Sequence, residues 1–463
     1  MLSDMKLSKI PGYVGIILLF LTVLVESMPS HLLGPDEDSF YQAPSDIESK
    51  EPGTILKVRK PPRKLKSLHF PVNMKDSWQL LVRSTDTHGN ATAIVTTLME
   101  PYNAHNDKLL SYQTFEDSSS PRCAPSYGLQ QGSDFGTLLY DVEMLNMQLA
   151  LQRGWWVVTP DYEGLKNAFT AGRQSGHATL DSIRGVLNFR NETGISKDVK
   201  ISLWGYSGGT VASGWAAALQ PSYAKELKDH FLGACMGGFV TNVTGTAVGV
   251  DGTVFAGLIG SAIQGLVNEY PELEDIVNKE LEPSKRKKYE SARHMCLPET
   301  AIKFAYDFVF EGDDRFVKDG WDLFKNKKVK DVVNNVTLGI NPHAEIPDMP
   351  IFVYHGAVDT VVPFDQSVRV YDFWCKHGIK SYEFAVDNTA GHVTEMLEGT
   401  PAAIAWLEKT FNGTAPVQGC QRTNRQSNIH YPGSSGAIKE FFLDAAKSII
   451  GKKMGPGTGI FRI

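Results

Sequence analysis

The stretch VKISLWGYSGGT, residues 199–210, decides how this chain is read. An apolar, β-branched run of the kind that forms a buried strand drives into Gly205-Tyr206-Ser207-Gly208-Gly209. It then passes into TVASGWAAALQ, a small-residue segment that suits a helix. A serine between glycines at the end of a strand is either a turn residue with an idle hydroxyl or a nucleophile. In a G-x-S-x-G turn the flanking glycines let strand and helix approach closely. The serine then takes a strained backbone that projects its hydroxyl. In a chain with 42 glycines the five-residue pattern alone is weak, and the strand before it and helix after it give it meaning.

Outward from that turn, strands and helices alternate. TILKVR, WQLLVRST, ATAIVTTLM and LLSYQTF read as early strands. Helix TLLYDVEMLNMQLALQ is followed by strand WWVVTP, helix HATLDSIRGVLNF by VKISLWG, and helix GTVASGWAAALQ by HFLGACMGGFV. PIFVYHG and SYEFAV are later strands flanking the helix FDQSVRVYDFWCK. The pattern predicts an α/β fold, a mostly parallel sheet between helices, with its core over residues 54–239 and 346–420. Residues 240–345 read as consecutive helices, a cap inserted between core strands. Residues 28–53 read as an extended polar leader, and residues 421–463 as a C-terminal segment.

Active sites of open α/β sheets lie beyond the carboxyl ends of the strands. Ser207 occupies such a place, Asp359 follows PIFVYHG in HGAVDTVVP, and His392 follows SYEFAV in DNTAGHVTE. Asp365 and Asp387 are rival acids. His430 is the rival base, although no strand is read before it. The order Ser…Asp…His is that of α/β-hydrolases. His392 would take the Ser207 proton and Asp359 would orient the imidazole. The N–H of Gly208 would be one donor to the developing oxyanion. No HGGG-type sequence supplies the second, which stays open on these grounds.

The remaining sequence bounds the setting. A net charge of −6 argues against a nucleic-acid partner, and the basic run KVRKPPRKLK (57–66) reads as solvated surface. Residues 1–27 carry a basic start, the apolar run VGIILLFLTVLV and a small-residue cleavage site. That is a secretory signal peptide, since a spanning helix would need about 20 apolar residues. The expected location is therefore extracellular, with no transmembrane segment. Sequons at Asn90, Asn191, Asn242, Asn335 and Asn412 suit that route as glycosylation sites. Of the five cysteines four could pair in an oxidising compartment, in several arrangements. Their spacing forms no zinc pattern, so neither a metal nor a cofactor is expected.

Beyond these patterns, DSFYQAP, PGTILKVRK, SYQTFEDSS, CAPSYGL, WWVVTPDYEG, AGRQSGHATLDSIRG, GYSGG and AGHVTE resemble the fungal secretory lipases over most of the chain. The resemblance implies an α/β-hydrolase fold with a helical cap and a secreted serine ester hydrolase of the triacylglycerol lipase type. Such an enzyme would act as a monomer on lipid at a lipid–water interface. It implies Asp117 of TFEDS as the second oxyanion residue, through its backbone N–H or as a protonated side chain. It also implies disulfides Cys123–Cys296 and Cys375–Cys420 with Cys235 free, and a flap within residues 421–463. A carboxylesterase or acyltransferase preferring short or unusual acyl chains is the alternative. A catalytically silent binding protein of the same fold is another, usually marked by a lost triad member. The run GTVFAGLIGSAIQGLV in the cap, with Ile263 in it, is the expected lining of an acyl pocket.

Overall fold

The computed structural model describes residues 32–340 and 346–458; the expected signal peptide, residues 1–27, lies outside them. Ten strands form the main sheet among the described residues: β1 (Ile55–Arg59), β2 (Asp76–Thr85), β3 (Ala91–Glu100), β4 (His105–Gln113), β5 (Trp155–Pro160), β6 (Lys200–Tyr206), β7 (Phe231–Gly237), β8 (Ile351–Gly356), β9 (Ser381–Asp387) and β10 (Gly419–Arg425). Their order across the sheet is β1-β2-β3-β5-β4-β6-β7-β8-β9-β10. Neighbours from β5 to β10 are parallel, and the pairings of β1, β2, β3 and β5 are antiparallel. The swap of β4 and β5 with an antiparallel start is the α/β-hydrolase arrangement.

Burial explains why the central strands were readable. Every residue of β5 and β8 is buried, and only Lys200 of β6 is exposed. Strands covered on both faces become continuous apolar runs. The helices that cover them are α1 (Tyr140–Gln152), α2 (Gly172–Asn188), α3 (Gly209–Tyr223), α4 (Val243–Val250), α5 (Gly257–Glu269), α6 (Phe364–Lys376), α7 (His392–Glu398), α8 (Thr400–Phe411) and α9 (Ala437–Ile449). Alternate residues of β5 divide between two cores. Trp156 and Val158 pack with Ile183, Trp215 and Trp374 on one face. Trp155 and Val157 pack with Met144, Leu149 and Leu407 on the other.

Four expectations change. The helix expected to begin at His177 starts at Gly172. The leader is not simply extended: Phe40 and Tyr41 pack against Leu81, Ala93 and Val95, and Asp38 pairs with Arg59 at 2.5 Å. An aromatic pair inside a polar stretch was enough to anchor it. Lys66, at the end of the basic run, is buried rather than solvated, with its ammonium 3.8 Å from Asp141. The boundary expected after residue 420 falls inside β10, which pairs with β9 over all seven residues.

Between β7 and β8 lie α4, α5 and a series of shorter helices ending with Lys327–Asn335. Asn242 caps α4, its side chain accepting from the N–H groups of Thr244 and Gly245. Asp251 accepts from the N–H groups of Val309, Phe310 and Glu311 at 2.6, 3.0 and 3.1 Å, which fixes the two arms of the insertion to each other.

Candidate active site

Ser207 stands between β6 and α3 with a positive φ of 49°. Its N–H donates to the Gly237 carbonyl at 2.9 Å, so the strained turn is pinned to the end of the next strand. A Cβ at Gly208 would lie 1.7 Å from Asp117 Oδ1, and one at Gly209 would lie 2.1 Å from the Gln113 carbonyl oxygen. The two glycines are thus demanded by the loop after β4, which passes directly over the start of α3.

The structure brings Ser207, His392 and Asp359 together. The Ser207 hydroxyl lies 2.7 Å from His392 Nε2, and His392 Nδ1 lies 2.7 Å from Asp359 Oδ2. Asp359 Oδ1 accepts the N–H groups of Val361 and Val362 at 2.9 and 2.8 Å. Burial pushes the Asp359 carboxyl up, but the imidazoles of His355 and His392 outweigh it and hold it well below the usual carboxylate range. The imidazole therefore faces a carboxylate, which sets its tautomer with the proton on Nδ1 and the lone pair toward Ser207.

The rivals fall elsewhere. Asp387 Oδ1 accepts from the N–H groups of Thr389 and Ala390, both at 2.9 Å, and its Oδ2 accepts from Asn428 N–H at 2.8 Å. It shapes the loop that delivers His392 instead of touching the imidazole. Asp365 accepts from its neighbour Gln366 at 2.9 Å on the surface. His430 does follow a strand, the unexpected β10, but it is exposed and hydrogen-bonds within its own turn.

Asp117, also at positive φ (50°), is buried beside Ser207 and Gly208. Its loop is held by buried polar groups: Glu143 accepts from Phe115 N–H at 3.0 Å, and the Tyr162 hydroxyl accepts from Glu116 N–H at 3.3 Å. Burial pushes the Asp117 carboxyl up to about 7. No hydrogen bond joins that carboxyl to another described residue.

The pocket at Ser207 and Gly208 is mostly apolar: Thr170 and Thr246 line it with Asp117, and the rest of its wall is Phe169, Val240, Val243, Ala247, Val250, Leu258, Ile259, Ala262, Val361 and Val362. The inserted helices thus contribute α4 and the first turns of α5. Ile263, expected in the lining, is not among the lining residues; it is partly buried against the core one turn beyond Ile259. None of the described lining residues lies beyond 362. Helix α9 packs against α1, and its Ser448 and Glu440 hydrogen-bond Gln148 and Arg153.

A family model described as secretory lipase matches residues 129–419. Lipase 1 of Candida albicans is 47% identical over 445 residues, covering 96% of this chain and 95% of that protein. The chain belongs to the secretory lipase family. Lipase A of Arthroderma benhamiae is 34% identical over 444 residues, covering 94% of this chain and 92% of its own. The crystal structure of Candida antarctica lipase A in its closed state superposes with a TM-score of 0.79 at 28% identity. It covers 93% of this chain and all of its own. This secretory lipase is accordingly an ester hydrolase.

In this lipase Cys123 is joined to Cys296 and Cys375 to Cys420, and Cys235 is free and buried. The first bridge ties the Asp117 loop to the insertion. Ser118 Oγ, donating to the Met295 carbonyl at 2.8 Å, and Ser119 Oγ, donating to Gln264 at 3.0 Å, act beside it. Asn90, Asn191, Asn335 and Asn412 are exposed. Asn242 is half-buried, and its amide donates to Gln366 at 2.9 Å, so that sequon is engaged in the fold. Among the described residues no cluster could hold a metal ion, and no helix is long and apolar enough to cross a membrane. Sequence reasoning missed His355, which lies 3.3 Å from Asp359 Oδ2. Its only signal was a histidine inside an otherwise apolar strand, four residues before the acid.

Proposed function

We propose that the chain hydrolyses acylglycerol esters by way of an acyl-enzyme on Ser207. The observation that carries this reading is the unbroken Ser207–His392–Asp359 hydrogen-bond chain, at 2.7 Å for each link, opening on an apolar pocket. His392 Nε2 takes the serine proton as Oγ attacks the ester carbonyl, and then delivers that proton to the leaving alcohol. Water repeats the sequence on the acyl-enzyme. Gly208 N–H and the loop of Asp117 face the developing oxyanion. The Asp117 carboxyl, in its acid form below about pH 7, adds a donor that needs no charge nearby.

The apolar lining favours a hydrocarbon acyl chain, at about 0.8 kcal/mol for each CH₂ removed from water. Three exposed valines support action at a lipid surface. Val248 on α4 is 56% exposed, Val358 beside Asp359 is 54% exposed, and Val393 beside His392 is 53% exposed. Each adjoins a residue of the site, so a lipid surface that covers them meets the pocket. The sequence of residues 1–27 supports secretion. Replacing Ser207 by Ala should lower ester turnover about 10⁶-fold with unchanged folding. Retention of turnover by that variant would overturn the reading.

A further inference from the structure

His355 is the penultimate residue of β8 and is fully buried. Both of its ring nitrogens are engaged, and the partners fix its tautomer. Phe239 N–H lies 3.3 Å from Nδ1, and a backbone amide can only donate, so Nδ1 carries a lone pair. Ser367 Oγ, 3.0 Å from Nδ1, donates its proton to the Phe239 carbonyl at 2.8 Å. The ring proton is therefore on Nε2. That N–H meets the Val362 carbonyl at 3.1 Å, with Asp359 Oδ2 beside it at 3.3 Å.

Each of these contacts ends on a part of the site. Asp359 Oδ2 is the oxygen that receives His392, and Val362 both caps Asp359 Oδ1 through its N–H and lines the pocket. Phe239 precedes Val240, another lining residue. An apolar residue would fill the same volume but leave a buried N–H and a buried carbonyl without partners, which costs free energy for each. A histidine that only packed would not need Nε2 aimed at the turn that holds the acid while Nδ1 is anchored by Phe239 and Ser367.

We propose that His355 is a positioning residue for Asp359, its Nε2–H holding the carboxylate and the Val361–Val362 turn in the geometry that orients His392. The inference rests on the reading of Ser207, His392 and Asp359 given above. It assigns no contact with substrate: His355 acts through Asp359, so its effect belongs in turnover and not in substrate affinity. A glutamine, which keeps one donor and one acceptor, is the conservative replacement.

The test is kcat on a short soluble ester, normalised to the sites titrated by a serine-reactive phosphonate. His355→Ala should lower kcat about 10- to 100-fold with KM within about twofold, and His355→Gln should recover most of the loss. If alanine leaves a void too large to fold, His355→Leu fills it without either nitrogen and carries the same expectation. In an Asp359→Ala background the His355 substitution should cost less than about twofold more, since a residue acting through Asp359 has nothing left to position. An unchanged kcat, or the same loss in both backgrounds, would overturn the proposal. Failure of the underlying reading is separable, because it would appear as turnover surviving Ser207→Ala, whatever His355 does.

Discussion

The carboxyl edge of the sheet and the inserted helices meet at one pocket, but they are held by different means. At the sheet edge the ties are hydrogen bonds that end on the site: the Gly237 carbonyl fixes Ser207, the amides of Val361 and Val362 fix Asp359, and the Asp387 carboxylate fixes the loop of His392. The insertion is tied by a disulfide and by side chains that reach segments distant in sequence, through the Cys123–Cys296 bridge, Ser118, Ser119 and Asp251. The ties at the edge end on the triad residues and the turns that carry them, whereas α4 and α5 present walls whose side chains line the pocket. On the function proposed above, the sheet edge fixes the reacting groups and the insertion sets acyl preference.

Two substitutions should separate these roles most sharply. Asp117→Ala, at the sheet edge, should lower kcat about 10²- to 10³-fold on short and long esters alike, as expected for the loss of an oxyanion donor. Ile259→Lys, in the pocket wall, should lower kcat/KM on long-chain esters at least about tenfold while sparing acetate esters, because only long chains need that apolar surface. Ile263→Lys, one turn along but packed on the core, should lower the melting temperature without changing the ratio between ester classes. Equal losses on both esters from Ile259→Lys would break the division between edge and insertion.

A smaller effect concerns the buried acids beneath the Asp117 loop. Burial pushes Asp117 and Asp161 up to about 7, and pushes Glu116, Glu143 and Glu163 well above the usual carboxylate range. The folded chain then holds more protons than the unfolded one above about pH 4, so these groups destabilise the fold as pH rises through about 7. His177, which burial lowers to about 4, opposes them only up to its unfolded value of about 6.5. Asp359, held low, matters only in strong acid. Between pH 6.5 and 8 the melting temperature should fall by a few degrees. A rise over that interval would contradict the assignment of these acids as protonated in the fold.

Much of this was legible because physics compressed it into short patterns. Strands buried on both faces had to be apolar runs, and the elbow had to place glycine where Asp117 and Gln113 crowd it. The sequence order of Ser207, Asp359 and His392 then followed from strands whose ends were already visible. The last strand was hidden for the opposite reason. GCQRTNR is mostly exposed and polar, and only its ladder with β9 makes it a strand. His355 was hidden because a buried imidazole looks like any core residue until its neighbours are known. Ile263 was misplaced because it shares the helix face of Ile259 but lies one turn farther along, past the residues that line the pocket.

The central claim is that Ser207 is the residue that carries the acyl group. Intact-mass analysis after treatment with a long-chain alkyl phosphonate ester, followed by peptide mapping, tests it directly. One adduct per chain should form on the peptide bearing Ser207, in step with the loss of activity, and it should be absent from the His392→Ala variant over the same time. An adduct on any other residue that tracked the loss of activity would contradict the account.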